Sequence, residues 1–230
     1  MVKRLQAFYA EHGLFWGGLY VLHRLLAVLP GSRSGFFPYH IVAQPFADRA
    51  NAKAEAVWQL SADDTLIASF PRTSEKIQER LALGHRCYVR STTKTPFAGY
   101  VWIAGTPMQE DEIDATYTFP ELRCVWDYDV YVVPQYRLGR TFVSMWSGVE
   151  KTLVGEGAEL SLSRISAFNH TSLRSHIALG AEKIAWVAAA RLMGIQILLT
   201  NVKPYLKLSR NRSPEVNLEV RVEKHLAQKS

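Results

Sequence analysis

The sequence predicts an α+β (α/β) protein: a mixed, mostly antiparallel central sheet flanked by helices, with an extra helix at the N-terminus. Three observations carry that reading. Between His85 and Val133, apolar and β-branched residues form three strand-like runs joined by short links, which favour antiparallel pairing. After Pro134 the pattern changes to helix, strand, helix and a final pair of strands. Ahead of the sheet, residues 2–29 carry a strongly apolar helical run.

The chain has 230 residues, 48% hydrophobic and 21% charged, enough for one large domain with a sizeable core. It divides into an N-terminal helix over 1–30, a main domain over 36–209 and a polar, basic tail over 210–230 in which Val216 to Val222 could form one short strand. A formal charge of +6 suits an anionic partner, whether a phosphorylated cofactor, a nucleic acid or an anionic membrane. Apart from Lys203, Lys207, Arg210 and Arg212, which read as part of a solvated tail, the basic residues are dispersed, so no nucleic acid is expected. Cys87 and Cys124 lie far apart with no CxxC spacing, which reads as two buried thiols in a reducing, cytoplasmic setting, without disulfide framework or metal.

Three readings of the first helix stand open. It packs on the domain or on a second copy of the chain, it lies in the inner face of a membrane with Trp16 and Tyr20 near the headgroups, or it is a targeting segment. His23 and Arg24 interrupt the apolar run, which falls short of a spanning helix. Phe36–Gln44 reads as a strand, and 47–60 as irregular or helical. Thr73–Gly84 is a helix with a capping threonine, acid in its first turn, Ile77 and Leu81 on one face and a closing glycine. The acidic stretch Gln109–Asp114 reads as a solvated loop. Trp102, Tyr100, Trp126 and Tyr128 recur at period two on neighbouring strands and read as packing. Gly139–Gly155 is a helix with Phe142, Met145, Trp146, Val149 and Leu153 on one face. Glu159–Phe168 is a strand, Asn169–Gly180 a short helix, and 181–202 a hairpin turning at Met193-Gly194.

The stretch Val130-Tyr-Val-Val-Pro-Gln-Tyr-Arg-Leu-Gly-Arg-Thr141 joins a strand to a helix through a basic, glycine-bearing turn. Backbone N–H groups at such a helix start can converge on an anion, and Arg137 and Arg140 add charge beside them. Further on, Asn169-x-x-Ser172 precedes Leu179-Gly180. These two stretches, set after an antiparallel meander, resemble the GNAT superfamily, the Gcn5-related N-acetyltransferases, over roughly Phe36 to Val202. The loop departs from the family pattern at Tyr136 and Thr141, and Ala181 stands where the family usually has phenylalanine.

The resemblance implies an acyl-CoA co-substrate, acetyl-CoA in the first place, and a small-molecule amine acceptor such as an amino sugar, amino acid or polyamine. It puts the coenzyme against Tyr131, Val132, Val133, Arg137, Leu138, Gly139, Arg140, Thr141, Asn169 and Ser172. Acyl transfer to an amine needs a base for the ammonium proton and an acid for the leaving thiolate. Asp127 and Asp129 alternate on the strand before the turn and are the base candidates, with Glu159 behind them. His176 falls where many family members carry the tyrosine beside the coenzyme sulfur, and is the acid candidate. A longer acyl donor and a non-catalytic coenzyme-binding module remain as alternatives.

Overall fold

The computed structural model describes residues 17–28, 34–46, 57–110, 112–137, 140–210 and 212–228. Two compact units emerge. One comprises Met1–Ala43, Pro107–Phe119 and Arg164–Ser230; the other comprises Gln44–Thr106 and Pro120–Ser163. Strands in both are mostly antiparallel, and the fold is α+β with a mixed sheet.

The second unit is built on β2 (Val57–Gln59), β3 (Arg86–Thr92), β4 (Thr95–Ala104) and β7 (Cys124–Val132), an antiparallel series in the order β2-β3-β4-β7. β8 (Leu160–Ser166) adds to β7 in parallel. The helix α2 (Ser74–Ala82) is capped by the Thr73 hydroxyl, which accepts from the Lys76 N–H, and turns Ile77 and Arg80 inward. α3 (Thr141–Gly155) buries Met145, Trp146, Val149 and Leu153, the predicted face. A core of Leu60, Ile67, Phe70, Ile77, Cys87, Val89, Phe97, Tyr100 and Trp102 lies on one side of the sheet. Tyr100, Trp102 and Trp126 are fully buried, as packing predicts. Both cysteines are buried and free, and burial pushes the Cys87 thiol far up.

In the first unit β1 (Gly35–Pro45) runs antiparallel to β9 (Glu182–Leu192), from Gly35 opposite Arg191 to Ala43 opposite Glu182. β9 turns into β10 (Ile195–Thr200) at Met193 (φ 51°) and Gly194 (φ 79°), two successive left-handed residues of the kind a tight hairpin needs. β11 (Leu206–Arg210) then pairs with β10. α4 (His170–Ala178) shares the small cluster of Val42, Ile165, Leu173 and Ala181. The described part of the first helix, α1 (17–26), sets Tyr20 edge-on to Phe168 and His23 against Phe37. Trp16 lies outside the described residues. Among the described residues no helix is long and apolar enough to cross a membrane.

Three expectations change. The stretch expected as a solvated acidic loop, between β5 (Met108–Gln109) and β6 (Thr116–Thr118), is tied to the fold by ion pairs, and its Glu110 is buried. Arg164 bonds Glu110 at 2.6 Å and Glu112 at 2.9 Å, lies 4.0 Å over the Tyr39 ring, and Tyr39 donates to Glu112 at 2.7 Å. Asp114 pairs with Arg191 at 3.1 Å, and its backbone carbonyl accepts from the Gln196 amide at 2.6 Å. The expected basic tail, residues 210–230, is likewise folded. β12 (Glu215–Asn217) pairs in parallel with β6, and α5 (Glu219–Ala227) follows it. Val216, Leu218 and Val222 are fully buried, and that apolar set outweighs the flanking charges. Within 47–60, Val57–Gln59 is a strand rather than irregular or helical; 47–56 lie outside the described residues.

Candidate functional site

The strand β7 keeps parallel register with β8 for four pairs, Cys124 opposite Leu160 through Asp127 opposite Ser163. It then runs on as strand from Tyr128 to Val132, in register with β4. Just past the divergence the β4–β7 register shifts between Tyr100 and Trp102, where Asp129 adopts φ 45°. An aspartate tolerates the left-handed region better than most residues, and such a bulge re-aims the chain that follows. β4 presses close here: a Cβ on Gly99 would lie 2.6 Å from the Tyr131 carbonyl oxygen.

The bulge cancels the alternation that would place Asp127 and Asp129 on one face. Asp127 stands opposite Ile103, while Tyr128 stands opposite Trp102 on the other face. Asp127 is buried and accepts from the hydroxyls of Ser161 at 2.5 Å and Ser163 at 2.9 Å. Asp129 sits on the Trp102 side. Arg72 holds it through two nitrogens at 2.9 and 2.5 Å, Arg80 bonds it at 2.5 Å, and the Tyr100 hydroxyl lies 3.4 Å away. Arg80 also lies over the rings of Trp102 and Tyr128, at 5.2 and 4.9 Å. The Tyr128 hydroxyl is 2.6 Å from His85 Nδ1. The hydrogen bonds that Arg72 donates to Asp129 hold its guanidinium above its ordinary value, and burial together with the charge of Asp129 pushes the Tyr100 phenol well up.

β7 ends at Val132, and beyond Val133 the residues Pro134–Tyr136 make one 3-10 turn. Arg137 Nε donates to the Val132 carbonyl at 2.9 Å, and its guanidinium lies 5.7 Å from the Tyr131 ring. Leu138 and Gly139 lie outside the described residues. Arg140 occupies the cap position of α3 and is exposed, and its side chain makes no cap hydrogen bond. Thr141, the first helical residue, is buried. An uncapped helix start beside two arginines favours an anion.

In the first unit Asn169 caps α4, its side-chain oxygen accepting from the Ser172 N–H at 3.1 Å. The helix closes at Gly180 (φ 92°), with the Ala181 N–H donating to the His176 carbonyl at 3.0 Å. The Asn-x-x-Ser…Leu-Gly pattern therefore has a local cause, the start and stop of this helix. His176 is buried in its last turn. Burial pushes the His40 imidazole down, aided by Lys183 and His170. Glu159, in the second unit, is exposed and bound by Arg123 at 2.6 and 2.9 Å, which holds its carboxyl down. Among the described residues no group of three or more His, Cys, Asp or Glu is arranged to hold a metal ion.

Sequence reasoning missed Arg72, Arg80, His85, Ser161 and Ser163. Arg80 was legible: it follows Ile77 by three positions and so shares the inward face of α2. Ser161 and Ser163, at period two in a buried strand, were a second signal. Nothing in the sequence ties Arg72 or His85 to β7.

No family model matches the chain, and no curated protein matches it in sequence. Solved structures to which it is similar are described as GNAT acetyltransferases. One is a GNAT-family acetyltransferase from Novosphingobium aromaticivorans, at 14% identity and TM-score 0.43, covering 71% of this chain and 68% of that one. Another is a tandem GNAT protein from the clavulanic acid biosynthesis pathway, at 16% and 0.44, covering 66% and 51%. A third is a GCN5-related glucosamine N-acetyltransferase region of a fungal multi-domain β-N-acetylglucosaminidase, at 15% and 0.44, covering 64% and 20%. Scores at this level describe a loose likeness and carry no chemistry across.

Proposed function

We propose that the chain is an acyl-CoA-dependent N-acyltransferase of GNAT type that moves an acetyl group from acetyl-CoA to the amine of a small molecule, an amino sugar, amino acid or polyamine, by direct attack in a ternary complex. One observation supports it above the others: β7 outruns its parallel partner after Asp127, bulges at Asp129, and delivers Arg137, Arg140 and an uncapped helix start within a few residues. Backbone groups of Tyr131, Val132 and Val133 would line the pantetheine and thioester. Arg137, Leu138, Gly139, Arg140 and Thr141 would hold the pyrophosphate, with Asn169 and Ser172 completing the coenzyme contacts.

His176 is the proposed acid for the leaving thiolate. Asp127 and Asp129 are the proposed acceptors of the ammonium proton, and the two serine hydroxyls on Asp127 offer it a relay. Asp129 is already engaged by Arg72 and Arg80. The two buried thiols support a cytoplasmic setting. Exposed Leu22, Leu25 and Val28 give the first helix an apolar surface for peripheral membrane contact.

A thiol-release screen with acetyl-CoA against amino sugars, amino acids and polyamines tests the reading. Arg140→Glu, an exposed change, is expected to weaken coenzyme affinity at least tenfold with an unchanged melting curve; equal affinity by calorimetry removes the cradle. His176→Phe is expected to lower turnover far more than it weakens acetyl-CoA binding, and unchanged turnover removes the acid. The buried Thr141 favours a second reading, a longer acyl donor on an altered cradle. Coenzyme binding without thiol release from any acceptor would mark a binding module instead.

A further inference from the structure

We infer that the outer face of β9, β10 and β11 is an interface for a second copy of this chain. The burial of β10 alternates with its apolar side chains on the wet side: Ile195, Ile197 and Leu199 are 44–46% exposed, whereas Gln196, Leu198 and Thr200 are buried. A strand with one face in solvent ordinarily shows the opposite arrangement. The register extends this surface across three strands. Ile197 stands between Ala190 and Leu208, and Leu199 between Ala188 and Leu206. Leu206 and Leu208 are 61% and 73% exposed. Leu192 carries the patch to the hairpin end, beside Met193, and Trp186 is exposed farther along β9.

Size identifies the occupant. Eight large side chains, each 43–75% exposed and each with roughly 120–200 Å² of surface, present on the order of 600 Å² of apolar area. That matches or exceeds the largest patch of an ordinary monomer, about 300–600 Å². One side of a standard interface, about 800 Å², contains about 500 Å² of apolar surface. The face therefore meets the apolar requirement of a stable dimer by itself.

The strand at its margin decides how the face is covered. β11 is an edge strand, and Lys207 and Arg210 on it are the charges by which edges resist pairing with another chain. Packing is then face to face, two sheets about 10 Å apart, which leaves the edge in water. A bilayer would instead bring the unpaired backbone of β11 against hydrocarbon, at a cost of several kcal/mol for each stripped group. The occupant that matches a flat aliphatic sheet without that cost is the same sheet on another copy.

Sedimentation velocity of the full chain over a micromolar concentration series tests this. The wild type is expected to sediment as a dimer. Ile197→Glu and, separately, Leu208→Ser are each expected to raise the dimer dissociation constant at least tenfold, with unchanged circular dichroism. Val220→Glu, at an apolar position that is 79% exposed on α5, is expected to leave the dimer intact. A wild type that stays monomeric throughout overturns the inference, as does a dimer unaffected by both face variants. A monomer that floats with anionic vesicles, and loses that binding in Ile197→Glu, overturns it in favour of a lipid surface.

Discussion

At the scale of single residues, the bulge in β7 is where sequence reading and structure part. Alternation assigned Asp127 and Asp129 to one face, yet φ 45° at Asp129 sends their side chains to different partners on either side of the sheet. Period two holds only while the ladder is regular, and nothing in Tyr-Asp-Val announces the extra residue. Gly99 is the readable half of the same feature, since glycine inside a strand often marks close backbone approach. A methyl group there would sit 2.6 Å from a carbonyl oxygen fixed in the sheet. Gly99→Ala is expected to destabilise the protein by about 1–3 kcal/mol, measured by urea denaturation. Arg80→Met is expected to cost more than Arg72→Met: Arg80 is 8% exposed and Arg72 44% exposed, and both lose the same carboxylate. Equal losses in the two would show that burial does not set the strength of this clamp.

At the scale of elements, most of the order of strands and helices was readable, because hydrophobic period and turn chemistry agree along β3, β4, β7, α3 and the Met193-Gly194 hairpin. The segments misread were those whose charges are paired at long range. Glu110, Glu112 and Asp114 look solvated until Arg164, Arg191, Tyr39 and Gln196 are brought to them. Burial raises the Glu112 carboxyl, and the hydrogen bonds and charge of Arg164, with the Tyr39 hydroxyl, outweigh it, leaving the group below its ordinary 4.5. The unfolded chain therefore takes up this proton first as pH falls. The contribution is present above about pH 4.5 and is lost as pH drops through the lower folded value. Glu112→Gln is expected to flatten the fall in melting temperature on acidification, and an unchanged slope would argue that the pair carries no linkage. At the N-cap of α5, Leu218→Ala is expected to cost about 2–5 kcal/mol, the behaviour of a core position and not of a tail.

At the scale of the whole molecule, the sequence shows which faces of each element are apolar but not which distant element covers them. β1 finds β9, and β6 finds β12, across about a hundred residues or more. The candidate site was legible in the same measure. The cradle and the caps of α4 follow from local chemistry, whereas the arginines on Asp129 come from a separate stretch of chain.

The parallel pairing of β12 with β6 has a consequence for how the protein is made. The second unit is complete once Ser163 has been synthesised, but the first unit recruits its opening strand, a middle segment and its closing helix. Its core therefore waits for residues around Val222, while β1 and the carboxylates of Glu110, Glu112 and Asp114 remain without their later partners. Released chains truncated after Gly180 are expected to resist protease across 57–106 and 120–163 and to be cut within 34–43 and 107–119. Early protection of those two stretches would mean that they find temporary shelter before their partners arrive. On the ribosome β1 is thus a late-folding element, paired only once strands far downstream have appeared.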